Sequence, residues 1–406
     1  MRSAGLLPVG EALARILATA LKPLEAESVP LPEAAGRTLA ADLKALRTQP
    51  PAAMSAMDGY AARVGDAAAL PARLRVIGAS AAGRSFPGVV GPGEAVRIFT
   101  GAVVPAGADT IIIQENTRAE GDHVIVQDGA AAQGRNIRPA GLDFRAGEIP
   151  LLKGARLGAR HVGLAAAMGH ARLSVTRRPR VAILATGDEL VLPGEAARAD
   201  QIVASNSFAV AAVCEAAGGD AVDLGIARDT LPDLARAIDA ARECRADILV
   251  TLGGASVGDH DLVQKALGLA GMELGFWRIA MRPGKPLMHG RLGEMRVLGL
   301  PGNPVSAIVC SMLFVSPLIR ALCGDLDAAR DRREPAVLGA DMAENDNRQD
   351  YVRAVLTQGA GLPHVTPAAV QDSSMLRILS DANCLIVRPP FAPAAAAGEM
   401  CRVVRL

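Results

Sequence analysis

Residues 247–261 read D-I-L-V-T-L-G-G-A-S-V-G-D-H-D, an apolar run followed by a glycine-rich turn and then by Asp259 and Asp261. A short apolar run bounded by turn-forming residues predicts a buried β-strand at 247–252. The glycines let the backbone approach a ligand closely and present N–H donors to an anion. The two carboxylates would repel that anion unless a cation lies between them. The stretch therefore predicts a ligand that carries an oxyanion together with a metal ion.

Strand patterns alternate with helix patterns on both sides of this stretch, from 180 to 325. V-A-I-L-A (181–185) and V-L-G-L (297–300) are further apolar runs typical of buried strands. The helix predicted after the strand at 181–185 has Ser205 or Ser207 as its N-cap and Gly218 as its C-terminal stop. V-D-L-G-I precedes Thr230, whose spacing to Asp233 fits a capping box. Repeated βα units predict a parallel sheet flanked by helices.

The rest of the chain has a different texture. A helix is expected at about Val9–Leu21, where apolar residues recur at helical spacing, and another at about 159–169. Residues 72–150 carry short β-type runs between Gly and Pro turns, which favour a small all-β module. A charged linker, D-A-A-R-D-R-R-E-P (327–335), precedes a final β-rich region. The predicted fold class is therefore multidomain α/β and β.

Composition excludes several functional classes. The 406 residues carry 43 basic and 42 acidic side chains, which removes any global argument for nucleic-acid or anionic-membrane binding. The six cysteines are scattered without a C-x-x-C pair, so neither a structural disulfide nor a cysteine metal site is expected. No uninterrupted run of 18 apolar residues occurs, and the first residues lack a signal-peptide pattern. The chain is expected to act in the cytoplasm.

Polar and glycine-rich stretches follow several of the predicted strands. A-T-G-D-E-L (185–190) contains Asp188 and Glu189, Asp229 follows V-D-L-G-I-A-R, and L-P-G-N-P-V-S-A (300–307) forms a turn into a helix. Ligands of open parallel sheets bind beyond the carboxyl ends of the strands, and helix N-termini favour phosphate. Carboxylates there suit Mg²⁺, which is commonly held by one or two carboxylates and by substrate phosphates.

Cationic residues lie near the same predicted site. M-R-P-G-K-P places Arg282 and Lys285 around a turn, with Arg278 four residues before Arg282. Guanidinium and ammonium groups suit an oxyanion. Taken singly, each of these turns is equally typical of an ordinary loop, and Asp188 of a helix cap. His260, between two aspartates, is more typical of a solvated loop residue than of a ligand.

Seven stretches, taken in order along nearly the whole chain, resemble one family. They are M-S-A-M-D-G-Y-A (54–61), R-I-F-T-G-A-V-V-P-A-G-A-D (97–109), A-G-L-D-F (140–144), A-T-G-D-E-L (185–190), G-G-A-S-V-G-D-H-D (253–261), R-P-G-K-P (282–286) and L-P-G-N-P-V-S-A (300–307). The chain resembles the molybdopterin molybdenumtransferases, the bacterial counterparts of the E domain of gephyrin. The resemblance implies Mg²⁺-dependent insertion of molybdate into adenylyl-molybdopterin, with release of AMP and molybdenum cofactor.

The resemblance also implies a domain organisation and an elongated homodimer. The implied domains are a discontinuous N-terminal dimerisation domain (1–48 and 140–178), an inserted β module (49–139), an α/β molybdopterin-binding domain (179–326) and a C-terminal β-rich domain (327–406). In the family, the pterin site lies in the α/β domain and is completed by the partner's β module. Asp58, Thr100 and Asp143 match that second set by motif.

Roles implied by the resemblance fall into four groups, some of which share residues. Asp229 and Asp261 match Mg²⁺ ligands, with Asp259 nearby. The substrate-binding positions are Gly253, Gly254, Ser256, Gly258, Pro301, Gly302, Asn303, Pro304 and Ser306. Ser256, Arg282 and Lys285 are candidates for placing molybdate. The positions expected to act in catalysis are Asp58, Thr100, Asp143, Asp188, Glu189, Arg278, Arg282 and Lys285.

The sequence departs from the family pattern at three places. Arg278 and Arg282 stand where the family often has Lys, which replaces a point donor by a planar fork. Pro51, Ala52, Ala53 and Met54 stand where the family commonly has P-F-D-N, which removes an aromatic and two polar groups. In the last domain, Arg377 and Ile378 replace a frequent Ser-Ser. Ser373, Ser374, Arg348 and Arg353 are weaker candidates in the last domain.

Alternative readings come from two other classes. One is a molybdopterin adenylyltransferase, which shares the α/β module but not the inserted β module. The other is a non-catalytic pterin-binding scaffold in the manner of gephyrin, although no long linker is present. Tungstate, nearly isosteric with molybdate, stays open as the oxyanion. Contacts with the adenylyltransferase and with apo-molybdoenzymes are the expected protein interactions.

Overall fold

A six-stranded sheet forms the centre of the molecule. The computed structural model describes residues 6–129, 131–254, 262–359 and 361–406. In spatial order, the strands of this sheet are Asp220–Ala227, Arg180–Thr186, Ile248–Leu252, Met295–Leu300, Met288–Leu292 and Glu273–Trp277. The first four run parallel. Met288–Leu292 pairs antiparallel with Met295–Leu300, and Glu273–Trp277 pairs antiparallel with Met288–Leu292 and so runs in the direction of the first four. The predicted parallel sheet is confirmed, and the antiparallel edge is an addition that the sequence pattern did not predict.

Helices cover both faces of this sheet and bury alternate residues of its strands. Its flanking helices are Asn206–Ala217, Leu231–Glu243, Leu262–Leu269, Pro304–Cys310 and Ser316–Leu322. Along the strand Arg180–Thr186, Val181 and Ile183 enter one hydrophobic core, whereas Ala182 and Leu184 enter the other. Burial on both faces explains why these strands are near-continuous apolar runs.

Local capping signals set the ends of two of these helices. The Thr230 side chain accepts a hydrogen bond from the Asp233 backbone N–H at 3.2 Å, as the predicted capping box requires. Gly218 has a φ of +103° at the end of Asn206–Ala217, a left-handed position that favours glycine. Ser205 occupies the N-cap position of that helix, although its side chain makes no capping hydrogen bond.

The segment Pro304–Leu322 is apolar and is used as a core element. Its 19 residues have a mean hydropathy of 2.0, and 67% of the segment is buried inside the protein. By length and composition it could span a membrane, but its side chains fill the larger core. A π-helical turn, Ser311–Val315, joins its two α-helical halves just before Pro317. Proline removes one N–H donor from the helix, which explains the wider turn.

The first helix, Val9–Leu17, is four residues shorter than expected and packs on the α/β region. Val9, Ala12 and Ile16 belong to the same core as Phe314 on the segment just described. A second, smaller region pairs Ala26–Pro30 with Arg172–Thr176 in an antiparallel ladder, beside the helix Ala159–Ala167. Chain segments before and after the β module therefore meet in one small core.

The β module is a six-stranded sheet, mostly antiparallel, between these two segments. In spatial order, its strands are Thr110–Ile113, Gly59–Ala62, Glu94–Ile98, Ala72–Ser80, His123–Val126 and Thr117–Glu120. A short ladder of Met54–Ser55 with Ile137–Arg138 closes its entrance and exit. The predicted β-type runs of this region are confirmed.

The C-terminal region is a small closed barrel. In spatial order, its strands are Gln349–Thr357, His364–Pro367, Glu334–Leu338, Met400–Arg405 and Cys384–Arg388, and the last pairs again with the first. A short helix, Leu376–Asp381, precedes the strand Cys384–Arg388. Met281–Arg282 of the α/β region pairs in parallel with Gln349–Asp350. The turn that carries the predicted cations is thus attached to the barrel.

Candidate active site

A cleft of about 690 Å³ lies at the carboxyl edge of the parallel strands. The polar and glycine-rich turns that follow three of those strands form its floor, as parallel topology requires. Short parallel strands, Leu190–Val191 and Ile202–Val203, form one wall. The lining residues that sequence reasoning had selected are Glu189, Asp229, Gly253, Gly254, Pro301, Gly302, Asn303 and Pro304.

The glycine pair on the cleft floor is required by the backbone. Gly253 has a φ of +93°, and a Cβ there would lie 2.8 Å from the Thr186 carbonyl oxygen. Gly254 has a φ of +60°, and a Cβ there would overlap the Val263 side chain. Any other residue at either position would be strained and crowded. The pair therefore brings bare backbone to the surface of the cleft.

The turn Pro301–Pro304 forms the opposite side of the floor and is tied to two other parts of the chain. The Asn206 side-chain amide donates to the Gly302 carbonyl oxygen at 2.7 Å. The Asn303 side chain donates to Ser373 Oγ at 3.0 Å, and the Val305 backbone N–H donates to the Ser373 carbonyl oxygen at 3.1 Å. The C-terminal region thus takes part in the cleft, where Ser374 and Leu376 also line the wall.

Three carboxylates stand together at the rim of the cleft. The Asp229 backbone N–H donates to Asp188 Oδ1 at 3.3 Å, and Glu189 lies close enough for its charge to act on Asp229. Burial, and then the charges of Asp188 and Glu189, raise the pKa of Asp229 above its ordinary value of 3.8. The ionised rim is therefore short of positive charge.

This excess of carboxylate oxygen fits the chemistry of Mg²⁺, a hard cation that takes oxygen ligands. Over the described ranges, no group of three or more His, Cys, Asp or Glu side chains converges closely enough to form a complete ligand set. Asp259 and Asp261, the other predicted ligands, lie outside the described residues, as do Ser256 and Gly258. Asp229 is thus the predicted ligand that the structure places at the cleft.

Arg282 lies outside the cleft and faces the barrel. Its guanidinium forms an ion pair with Asp350 and donates to Asn345 Oδ1 at 3.1 Å. The hydrogen bond to Asp350 raises the pKa of Arg282. Arg282, Asp350 and Arg353 line a separate cavity of about 270 Å³, and Pro286, at the other end of the same turn, lines the cleft.

That second cavity contains buried polar atoms without a described partner. Arg353 is 2% exposed, and its Nε has no hydrogen-bond partner within the described part of the chain. The same holds for Oδ1 of Asp350, which is 8% exposed. Buried polar groups are normally paired, so these two atoms indicate room for a ligand or water in the cavity.

The other predicted cations and Ser306 do not line the cleft. Arg278 has a φ of +87° and stacks on the Trp277 ring, with its Cζ 5.1 Å from the ring centroid. Lys285 is exposed, and its carbonyl oxygen accepts hydrogen bonds from the backbone N–H groups of Ile279 and Leu287. Ser306 is buried in the first turn of its helix.

Asp58, Thr100 and Asp143 lie away from the cleft of the same chain. Asp58 Oδ1 accepts hydrogen bonds from both the backbone N–H and the hydroxyl of Thr100, each at 2.7 Å. These bonds lower the pKa of Asp58 and hold it as a carboxylate. Asp143 is exposed, and its backbone N–H donates to the Gln49 carbonyl oxygen at 3.0 Å.

Sequence reasoning missed Asn206 as a cleft residue. The pattern S-N-S (205–207) predicted a helix start, with Ser205 and Ser207 as the N-cap candidates. The Asn206 side chain reaches a carbonyl 96 residues away. A polar amide at a helix start that faces a sheet edge was the available signal, but it cannot be told from ordinary capping without the fold.

Three family models together span most of the chain. Residues 7–169 match the MoeA N-terminal region (domain I and II), residues 182–321 match a probable molybdopterin binding domain, and residues 335–406 match the MoeA C-terminal region (domain IV). These matches follow the order of the regions described above.

Known proteins match two thirds or nearly all of the chain. Molybdopterin molybdenumtransferase of Haemophilus influenzae is 34% identical over 395 residues, which is 97% of each chain. Molybdopterin molybdenumtransferase 2 of Mycobacterium tuberculosis is 36% identical over 276 residues, 66% of this chain and 67% of that one. A solved molybdopterin biosynthesis moeA protein of Pyrococcus horikoshii has a TM-score of 0.83 at 27% identity and covers 99% of this chain and 100% of its own. The resemblance seen in the motifs is confirmed, and the chain belongs to the molybdopterin molybdenumtransferase family.

Proposed function

We propose that this protein transfers molybdenum to molybdopterin. The proposed substrates are molybdate and adenylyl-molybdopterin, and the proposed products are AMP and molybdenum cofactor. The observation that carries the proposal is the cleft at the carboxyl edge, where two turns with exposed backbone face a rim of carboxylates. Membership of the family supports the transferase class.

The floor and the rim of the cleft suit different parts of such a substrate. The backbone at Gly253, Gly254 and Gly302 can approach a phosphate or a pterin ring without side-chain obstruction. Asp229, with Asp188 and Glu189 beside it, would hold Mg²⁺ together with residues beyond the described ranges. When bound, this ion neutralises phosphate charge near the bond that releases AMP.

Molybdate is an oxyanion and needs fixed cationic donors. The turn from Arg282 to Pro286 runs between the 270 Å³ cavity and the cleft, since Arg282 lines the cavity and Pro286 lines the cleft. Arg353 offers a buried guanidinium Nε in that cavity. We infer that Arg282, Arg353 and Lys285 guide molybdate toward the cleft from the side of the barrel.

The β-module residues suit a site shared by two copies of the chain. Asp58 is half-buried and Thr100 is exposed. They are hydrogen-bonded to each other and neither lines the cleft of its own chain, so a role in that site requires a second copy. Mixing inactive Asp58→Ala and Asp229→Ala chains should then restore part of the activity in heterodimers. Confirmed heterodimers without any restored turnover would exclude a shared site.

The test of the activity is AMP release from adenylyl-molybdopterin by the purified protein. Release that requires both molybdate and Mg²⁺ is the expected result, and tungstate in place of molybdate measures the preference between the two oxyanions. Binding of adenylyl-molybdopterin without molybdate-dependent release, or adenylylation of molybdopterin from ATP, would overturn the proposal. A cytoplasmic location and contacts with the adenylyltransferase and with apo-molybdoenzymes stay predictions.

A further inference from the structure

A second charged pocket lies at the amino edge of the same sheet, opposite the cleft. Its volume is about 470 Å³, and we name it the arginine pocket after its lining residues, which are Glu27, Arg177, Arg178, Arg180, Asp220 and Arg245. Arg180 and Asp220 are the first residues of two neighbouring parallel strands, which places the pocket at the ends where these strands begin. It is therefore separate from the proposed active site.

Two of the four arginines are held in place by ion pairs. Arg177 donates to both carboxylate oxygens of Asp247, at 2.7 and 2.8 Å, and to Glu25 at 2.7 Å. Arg180 donates to the Cys244 carbonyl oxygen and lies 3.8 Å from the Asp220 carboxylate. These bonds fix two guanidinium groups on one side of the pocket.

The other two arginines bring charge that the fold does not neutralise. No ion pair or side-chain hydrogen bond is described for Arg178 or Arg245 in the parts of the chain that the structure covers. The charge of Arg178 also acts on Arg156, because it helps to lower the pKa of Arg156, after burial and the charge of Arg320, whereas Asp325 acts in the opposite direction. The pocket thus carries excess positive charge toward solvent.

Arg245 holds a backbone position that favours another residue. It follows the helix Leu231–Glu243 with a φ of +53°, the left-handed conformation for which glycine or asparagine is preferred at helix ends. A long charged side chain at this position gives the fold no conformational benefit. A cation at the end of a helix is favoured by the macrodipole, and the same position places Arg245 among the lining residues of the pocket.

The chemistry of the lining defines the class of ligand. All six lining residues are charged and none is aliphatic or aromatic, so a lipid chain would find no apolar side chain to pack on and a nucleotide base no aromatic ring. The two acidic members are already engaged, Glu27 with Arg37 and Asp220 with Arg180. Guanidinium groups bind phosphate oxygens in pairs, with a fixed fork geometry. We propose that the arginine pocket binds a compact, multivalent phosphate such as pyrophosphate.

The location of the pocket suggests what such binding would do. Glu27 belongs to the strand Ala26–Pro30, whereas the arginines belong to the connection into the α/β region and to that region itself. A multivalent anion there bridges Arg177 and Arg178 of the connection to Arg180 and Arg245 of the α/β region. Bound pyrophosphate should therefore stabilise the folded protein against thermal unfolding.

The experiment measures pyrophosphate binding by calorimetry and by the shift in melting temperature. Orthophosphate and AMP serve as comparison ligands. Orthophosphate has fewer charges than pyrophosphate, and AMP adds a base for which the pocket offers no aromatic or aliphatic side chain. Arg178→Gln and Arg245→Gly should each weaken pyrophosphate binding by about tenfold or more, the usual effect of losing a charge-assisted contact. Arg84→Gln, which removes an exposed arginine of the β module, is the matched control and should bind as the wild type does.

Arg245→Gly also separates binding from folding. Glycine suits the left-handed position, so the free variant should melt at the same temperature as the wild type or higher, while its shift with pyrophosphate is lost. Asp229→Ala should keep the shift, because the pocket and the cleft lie at opposite edges. Equal binding by wild type, Arg178→Gln and Arg245→Gly would overturn the proposal, as would AMP binding more tightly than pyrophosphate.

Discussion

The two edges of the central sheet concentrate charge of opposite sign. Asp188, Glu189 and Asp229 stand at the carboxyl edge, whereas Arg177 and Arg180 stand at the amino edge. Helices that flank a parallel sheet begin at its carboxyl edge and end at its amino edge. The macrodipole of a helix favours acidic groups near its start and basic groups near its end, so both edges agree with this rule. Sign alone therefore does not distinguish a functional edge from a structural one.

At one residue of each edge, Arg177 and Asp229, the difference lies in whether the fold satisfies the charge. Hydrogen bonds to Asp247 raise the pKa of Arg177, which means that the fold favours its charged form. The pKa of Asp229 is also raised, but there the shift means that the fold disfavours the charged form. The same direction of shift thus marks a structural ion pair at one edge and unsatisfied charge at the other. A carboxylate that the fold leaves unfavourable is a candidate for ligand binding.

The strongest test of this contrast is Asp229→Ala. Loss of the carboxylate that we propose as a Mg²⁺ ligand should lower turnover by about a hundredfold or more, while the fold remains intact. The measurement is molybdate-dependent AMP release, with the melting temperature recorded in parallel. Asp239→Ala, which removes an exposed acid on a flanking helix, is the control and should keep full activity. Unchanged turnover in Asp229→Ala would remove the carboxylate rim from the proposed site.

The glycine floor of the cleft offers a second comparison, between two neighbouring turns. An alanine at Gly254 would be strained at a φ of +60° and would overlap Val263, so the turn must move. Displacement of a binding group by about 1 Å can cost on the order of a hundredfold in rate, and we expect a loss of about tenfold to a hundredfold. At Gly302, the nearest atom to an added Cβ is 3.6 Å away, so Gly302→Ala should fold without rearrangement and lose less activity. Equal losses in both variants would show that side-chain bulk in the cleft, and not turn geometry, sets the effect.

How far the sequence predicts this molecule depends on the range of the interactions. The helix that begins at Leu231 was predicted from Thr230 and Asp233, because a capping box is formed by residues three apart. The buried strand 181–185 was predicted because burial on both faces leaves a continuous apolar run. The antiparallel pairings that Met288–Leu292 makes with Met295–Leu300 and with Glu273–Trp277 were not predicted, because strand direction is decided by pairing with distant residues.

The candidate site shows the same limit. The glycine and proline turns line the cleft, because parallel topology brings strand ends together, while their role in substrate binding stays a prediction. Arg282 was expected beside them, but the ladder between Met281–Arg282 and Gln349–Asp350 directs it to the barrel. Asn206 was missed since its partner, the carbonyl of Gly302, is distant in sequence. Both differences arise from contacts that no local pattern contains.

At the amino edge, the prediction concerns stability and not catalysis. Arg177→Ala would leave the Asp247 carboxylate, whose side chain is only 11% exposed, without its bidentate partner. We expect the free energy of unfolding to fall by about 2 kcal/mol, the usual cost of losing a charged hydrogen-bond partner at a partly buried site. Denaturant titration measures this change. Arg198→Ala removes a surface pair with Asp200, both exposed, and should cost at most about 0.5 kcal/mol. Similar costs for both variants would contradict a structural role for the amino edge.

The smallest predicted effect reverses the usual consequence of substitution in an active site. Because the pKa of Asp229 is raised above 3.8 in the folded state, the folded protein binds this proton more tightly than the unfolded chain does. Folding stability therefore declines as the pH rises through the raised pKa, and the isosteric Asp229→Asn should escape this decline. The variant should therefore be more stable than the wild type near neutral pH, with the difference shrinking as the pH falls toward 3.8. Unfolding curves of both proteins from about pH 3.5 to about pH 8 measure it. A variant that is less stable at every pH would mean that the Asp229 carboxylate supports the fold, and the contrast between the two edges would then fail at its central residue.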